Sequence, residues 1–238
     1  MNGPIGDDMT SLVFAPPAQP SLPVLGHEAR FPLRRVYCIG RNYPWPGDGG
    51  AVPEEPFYFM KPADAVCLAE GSLPYPPLTA DFCHEIEWVV AIGRHGFEIA
   101  PDEALSHVWG YGVGLDLTRR DLQQAAKAVG RPWEGSKAFD ACATCTPLRP
   151  VSEVGHPRQG AIWLSVNGVM RQQADLADLL HPVELLISAL SRSVPLHPGD
   201  LIYTGTPAGV GPLLPGDRVS GGIDGVGRFE LLVASPKA

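Results

Sequence analysis

The chain has 238 residues and a formal net charge of −8, from 26 acidic and 18 basic side chains, and 45% of its residues are hydrophobic. That apolar content excludes a chain kept disordered by its composition, and the acidic excess argues against a general nucleic-acid-binding face. With 27 glycines and 26 prolines, it reads as a folded chain rich in turns.

No apolar run approaches the roughly 20 residues of a membrane helix, and no basic stretch precedes an apolar one in MNGPIGDDMT. No membrane partner is expected, and the expected location is the cytoplasm. The five cysteines, Cys38, Cys67, Cys83, Cys142 and Cys145, are odd in number and scattered, which argues against a disulfide framework. Cys142 and Cys145 form a C-x-x-C pair without a second pair to complete a zinc site, so they read as buried or loop thiols.

In chain order, residues 1–34 carry six prolines and read as an extended arm lying over a single domain that spans 35–238. Residues 35–39 are a short apolar strand, and the Pro- and Gly-broken stretch YPWPGDGGAVPEEP that follows is a loop. Strands are predicted at 56–60, 85–92 and 110–115. Thr118 and Asp121 have capping-box spacing for a helix over 119–129, with Gly130 as its stop. A strand over 161–166 runs into an Asn167-Gly168 hairpin. Pro182 suits the first position of a helix whose Val183, Leu186, Ile187 and Leu190 share a face. LIYTGTP, DRVSG and GRFELLVAS supply further strands. No regular alternation of strand and helix is present, so the expected class is α+β and β-dominated.

The chemistry concentrates in HEIEWVVAIG. Residues two apart on a strand face one side, so Glu85 and Glu87 project together. Two neighbouring carboxylates are costly inside a fold without a cation, although the pair also fits an exposed strand face. Asp116 follows the apolar, glycine-rich run GYGVGL where a strand ends. Three oxygen donors without Cys or His suit a hard cation, Mg2+, Mn2+ or Ca2+, whose remaining positions are open to a chelating substrate. Lys137, in EGSKAFD, is a candidate partner for negative charge there.

HEIEW, GLDLTRRDLQ, GRPWEGSKAFD, VNG…RQ and PGDLIYTGTPAGVG together resemble the fumarylacetoacetate hydrolase family in order and spacing, from about Phe14 to the C-terminus. RFPLRRVYCIGRNY, HPRQGAIWLSVNG and GGIDGVG are most similar to its fumarylpyruvate-cleaving branch. The resemblance implies a mixed β-sandwich roll, a homodimer, and a divalent metal, Mg2+ or Mn2+ with Ca2+ as a further option. It implies Glu85, Glu87 and Asp116 as metal ligands and Lys137 as the catalytic lysine beside them. Thr206, Gln172, Arg41 and Asn42 are implied on the substrate side. The implied activity is hydrolysis of the C–C bond of an acylpyruvate, a small 2,4-dioxo acid, in aromatic catabolism.

Two segments depart from the family pattern. The family lid carries a water-activating histidine and a glutamate three residues on, where this chain has Pro46 and Gly49, and no histidine occurs between His27 and His84. Asp48, Glu54 and Glu55 are the acids at hand to replace that base. His181 and Pro182 stand where an aromatic residue is usual. The lost dyad opens an alternative on the same metal site, an oxaloacetate-type decarboxylase or keto–enol tautomerase acting on a 2-oxo acid, or a catalytically silent homologue.

Overall fold

The segment IEWVVAI is apolar except for one glutamate, and the strand Ile86–Ile92 is buried at all seven positions. A strand covered on both faces belongs in the middle of a sheet, and this one lies there. The computed structural model describes residues 12–47 and 55–235. Its larger sheet runs in the order Phe57–Lys61, Val36–Gly40, Leu201–Tyr203, Ile86–Ile92, Val108–Asp116, Ala143–Cys145, Val66–Leu68, with Arg149–Pro150 also on Val108–Asp116. A second sheet of five strands runs Val169–Asp175, Ala161–Val166, Arg218–Ile223, Gly227–Val233, Glu70–Leu73. The strand-dominated α+β fold expected from the sequence is the fold found.

Alternation along Ile86–Ile92 separates two cores. Ile86, Trp88, Val90 and Ile92 join the main core with Ile162, Leu164, Val219 and Phe229 of the smaller sheet. Val89 and Ala91 face the opposite way, into a second core with Val36, Cys38, Leu201 and Tyr203. A hairpin of Ser21–Pro23 and Arg30–Pro32 supplies Leu22, Val24, Phe31 and Leu33 to that second core.

Three elements differ from the sequence-based expectation. The strand begins at Ile86, because Phe82–His84 belongs to a separate small sheet and Glu85 occupies the break between them. The helix is Arg120–Ala128 and has no side-chain cap: Thr118 is drawn into a strand pair with Cys83. The Asp121 carboxylate instead accepts from the Thr79 hydroxyl, the Ala80 N–H and the Leu122 N–H. Pro182 is the N-cap of helix Val183–Ser193 rather than its first residue. The Asn167-Gly168 turn is as expected, with φ of 52° and 78°. All five cysteines are free. Among the described residues, no helix is long and apolar enough to cross a membrane.

Gly114 pairs with Glu87 across the ladder, under the ring of Tyr203, whose hydroxyl donates to Thr144 O at 2.8 Å. A Cβ at Gly114 would stand 2.7 Å from Tyr203 Cε1, 3.0 Å from Val89 Cγ2, and against the Thr144 carbonyl. Gly114→Ala is therefore expected to cost about 1–3 kcal/mol by overpacking, read as a lower urea midpoint with an unchanged denaturant slope.

Candidate metal centre

Three carboxylates meet where the central strand pair ends. Glu87 lies on Ile86–Ile92, Asp116 closes Val108–Asp116, and the Asp116 N–H donates to the Glu85 carbonyl at 2.8 Å. One ligand oxygen from each of Glu85, Glu87 and Asp116 lies within 4.8 Å of the others, and all three residues are buried. The sequence-predicted triad thus converges on one point.

Cations surround the triad unevenly. Lys137, 2% exposed, follows the 3-10 turn Glu134–Ser136 and donates at 2.8 Å to both Glu85 Oε2 and Asp116 Oδ2. Lys61, the last residue of Phe57–Lys61, lies 2.9 Å from Asp116 Oδ1. Its ammonium also donates to the carbonyls of Leu117, Lys137 and Cys142. Arg120, the first residue of its helix, pairs with Glu85 Oε1 and donates to Gln123 Oε1 at 2.6 Å. Glu87, 1% exposed, accepts from the Gly205 N–H at 2.8 Å and has no ion-pair partner among the described residues.

The protonation behaviour follows this division. Burial, reinforced by Asp116 and Glu85, pushes the Glu87 carboxyl well above its ordinary range. Burial would also raise Asp116, but Lys137 and Lys61 outweigh it and hold that carboxyl low. Lys137 is opposed by its own burial, yet Asp116 and Glu85 raise it above the usual lysine value, so it stays an ammonium. A buried carboxylate lacking a counter-charge, beside two others and with oxygen donors only, fits a hard divalent cation.

A cavity of about 280 Å³ opens onto the triad. Its walls include Arg41, Trp45, Phe59, Trp133, Thr206 and the cationic Arg120, Lys127 and Lys137. Arg41 is held at φ 52°, where a side chain other than glycine is uncommon. Two expected substrate-side residues are not in this wall. Asn42 is fully buried, and its amide donates to the His181 and Thr204 carbonyls while accepting from the His181 N–H at 2.7 Å. Gln172 donates at 2.8 Å to Thr206 Oγ1 and to Pro207 O, and accepts from His84 Nδ1 and the Ile86 N–H. Gln172 thus leaves the Thr206 hydroxyl its own proton to donate into the cavity. The His84 ring is held by Gln172, and burial lowers its pKa.

Of the altered lid, Pro46 lies in an exposed turn beyond Trp45, while Gly49, Asp48 and Glu54 fall outside the described residues. Glu55 is exposed, pairs with Arg192 at 3.3 Å, and lines a different cavity with Tyr58 and Ser193. Lys61 and Arg120 are charged neighbours of the triad that the sequence pattern did not single out. The signal for Lys61 was a lysine ending an otherwise apolar strand.

The family model described as fumarylacetoacetate (FAA) hydrolase C-terminal matches residues 35–234, and the chain belongs to that family. A fumarylpyruvate hydrolase from Ralstonia sp is 41% identical over 180 residues, covering 76% of this chain and 93% of the relative. An oxaloacetate tautomerase from Escherichia coli (strain K12) is 40% identical, covering 82% of this chain and 90% of that one. Among solved structures, fumarylpyruvate hydrolase from Pseudomonas aeruginosa in complex with Mn2+ and pyruvate superposes with a TM-score of 0.89. It is 47% identical, covering 94% of this chain and 100% of that chain.

The raised Glu87 pKa has a defined sign. The folded state holds this proton more tightly than the unfolded one, so the contribution of Glu87 to the stability of the metal-free protein is fully present at low pH and is lost as pH rises through the folded pKa. Glu87→Gln keeps an acceptor for the Gly205 N–H and removes the charge. In chelator at about pH 8, the variant is expected to be more stable than wild type by roughly 1 kcal/mol or more, with the gap closing near pH 5, as read by urea unfolding.

Proposed function

We propose that this chain is a divalent-metal-dependent hydrolase that cleaves the C–C bond of an acylpyruvate, a fumarylpyruvate-like 2,4-dioxo acid, to pyruvate and a carboxylic acid. The observation that carries the reading is the buried triad opening into a cationic cavity, in a chain 47% identical to a fumarylpyruvate hydrolase described with Mn2+ and pyruvate. Glu85, Glu87 and Asp116 would hold the ion, Mg2+ or Mn2+, with Ca2+ the less reactive option. Bound there, the ion supplies Lewis acidity toward the 2-oxo and carboxylate oxygens of the substrate and toward the enolate that leaves.

The remaining roles belong to the protein. The Lys137 ammonium spends two of its three hydrogens on Glu85 and Asp116, and the third is free for an oxygen that becomes negative in the cavity. Held protonated, it acts as an electrostatic stabiliser and not as a base. Arg41 and the Thr206 hydroxyl, both in the wall, bind substrate oxygen, and Arg120 and Lys127 make the cavity attractive to a dianion. Asn42 and Gln172 act by positioning, the first through Thr204 and the second through Thr206. We assign the catalytic domain to 35–238, with 1–34 as its arm, in agreement with a family match over 35–234. The family likeness further supports a cytoplasmic homodimer serving aromatic catabolism.

One observation favours a second reading. The described part of the lid, Pro44 to Gly47, carries no ionisable side chain, and Glu55 does not line the cavity. Oxaloacetate decarboxylation and keto–enol tautomerisation need the enolate stabilised but no activated water, and the Escherichia coli relative is named an oxaloacetate tautomerase. Without a lid base, acylpyruvate hydrolysis should run roughly 10²-fold or more below that of a dyad-bearing relative.

Product analysis separates these outcomes. With Mg2+ or Mn2+, fumarylpyruvate should yield fumarate and pyruvate; carbon dioxide or enol–keto interconversion from oxaloacetate alone would select the second reading. No turnover of either class would leave a silent homologue. Lys137→Met should lower kcat on the order of 10² to 10³-fold while Mn2+ affinity changes far less. An unchanged kcat would reduce Lys137 to a counter-charge.

A further inference from the structure

The cationic cavity extends well past the triad, and the proposed chemistry occupies only its inner end. Arg120, Gln123 and Lys127 all line it. They stand three and four residues apart on the helix Arg120–Ala128, a spacing that puts them on one face. Arg120, at the helix start, pairs with Glu85, and Gln123 accepts from Arg120 at 2.6 Å. Lys127 lies in the last turn, so the rise of the helix carries it roughly 10 Å beyond Arg120.

The aromatic wall follows the same course. The Lys137 ammonium stands 4.9 Å from the centre of the Phe59 ring, and that ring meets Trp133 edge to face at 5.0 Å. The Lys127 ammonium stands 5.4 Å from the centre of the Trp133 ring. Two cations are thus held at opposite ends of a Phe59–Trp133 wall, each against a ring face.

The two cations differ in what balances them. Lys137 is shared between Glu85 and Asp116. Lys127 has no ion-pair partner among the described residues, and neither has Arg41. A lysine in a last helical turn ordinarily complements the helix dipole and is bathed in water. Here partial burial and the like charges of Arg120, Lys137 and Arg41 push its pKa down. A cation crowded by other cations around a cavity is complemented by an anion from outside the chain.

We propose that Lys127, seated on Trp133, is the specificity residue of this cavity and binds the far carboxylate of a long dicarboxylic 2-oxo acid whose 2-oxo end lies at the triad. The carbon chain between the two ends runs along Phe59 and Trp133. A diacid of seven carbons, the length of fumarylpyruvate, carries its second carboxylate to Lys127. One of four or five carbons leaves it near Arg120 and short of Lys127. The assignment rests on Glu85, Glu87 and Asp116 holding a divalent ion that takes the 2-oxo end; it does not require that the C–C bond be cleaved.

Three ligands that lack the 4-oxo group, and so have no bond to hydrolyse, test this by calorimetry on the full-length, Mn2+-loaded protein. They are 2-oxoheptanedioate, 2-oxoheptanoate, which lacks the far carboxylate, and 2-oxopentanedioate, which keeps both charges but is two carbons shorter. 2-Oxoheptanedioate is expected to bind about fivefold more tightly than either of the others. Lys127→Met should reduce it to the affinity of 2-oxoheptanoate, and Lys127→Arg should keep the preference. The exposed position of Lys127 on its helix leaves both variants able to fold. Equal wild-type affinity for 2-oxoheptanedioate and 2-oxoheptanoate overturns the assignment. So does a loss in Lys127→Met shared equally by the two diacids, which would make Lys127 part of a general field. A preference present in wild type and lost in Lys127→Met supports the assignment even where fumarylpyruvate is not hydrolysed, and that combination counts against hydrolysis alone. Failure of Mn2+ to bind, or of pyruvate to bind the Mn2+-loaded protein, overturns the metal reading and the assignment with it.

Discussion

Glu85, Glu87 and Asp116 are matched in number by Lys61, Lys137 and Arg120, but the pairing is unequal, and the rest of the site depends on that inequality. Lys137 bridges Glu85 and Asp116, Arg120 takes the outer oxygen of Glu85, and Lys61 takes the second oxygen of Asp116. Glu87 has only a backbone N–H. With all three carboxylates ionised the cluster is formally neutral, so a divalent ion would leave an excess of positive charge facing the cavity, where Arg41 and Lys127 add to it. A site of that sign attracts small dianions and gives neutral esters and amides no such advantage.

The fold supplies this arrangement from two adjacent strands and little else. Ile86–Ile92 and Val108–Asp116 pair closely because Gly114 lets Tyr203 and Val89 approach opposite Glu87. Alternation then sends Trp88 into one core and Glu87 toward the other face, and the ladder ends with Asp116 beside Glu85. The cations arrive from elsewhere: Lys61 from a strand at the sheet edge, Lys137 from a 3-10 turn, Arg120 from a helix start. Loops with weak local preferences are held in place through engaged amides, Asn42 behind the buried Thr204 and Gln172 behind Thr206 of the cavity wall.

Much of the centre was legible in the sequence because it follows a period of two. Glu85 and Glu87 stand two apart in an apolar run, and Asp116 terminates another. The break at Glu85 was not legible, since a strand that changes sheets keeps its hydrophobic pattern. Lys61 and Arg120 carry no local signal of their place at the centre, because only tertiary packing brings their charges onto Asp116 and Glu85. The Thr118–Asp121 spacing suggested a capping box, but the strand pair Thr118–Cys83 and the Thr79–Ala80 turn claim both residues first. Asn42 and Gln172 stand in the expected neighbourhood but support the wall instead of forming it. Residue type alone does not distinguish an amide that lines a cavity from one that holds its wall.

Glu87 is the carboxylate left for a metal, and the proposed chemistry turns on it. The direct measurement is a Mn2+ titration of the metal-free protein at about pH 6, following free Mn2+ by electron paramagnetic resonance and proton release by a pH indicator. One Mn2+ should bind per chain with a proton released on binding, the release fading as pH rises past the raised Glu87 pKa. Absence of saturable Mn2+ binding, or binding that persists at unchanged affinity and without proton release in Glu87→Gln and wild type alike, would contradict it.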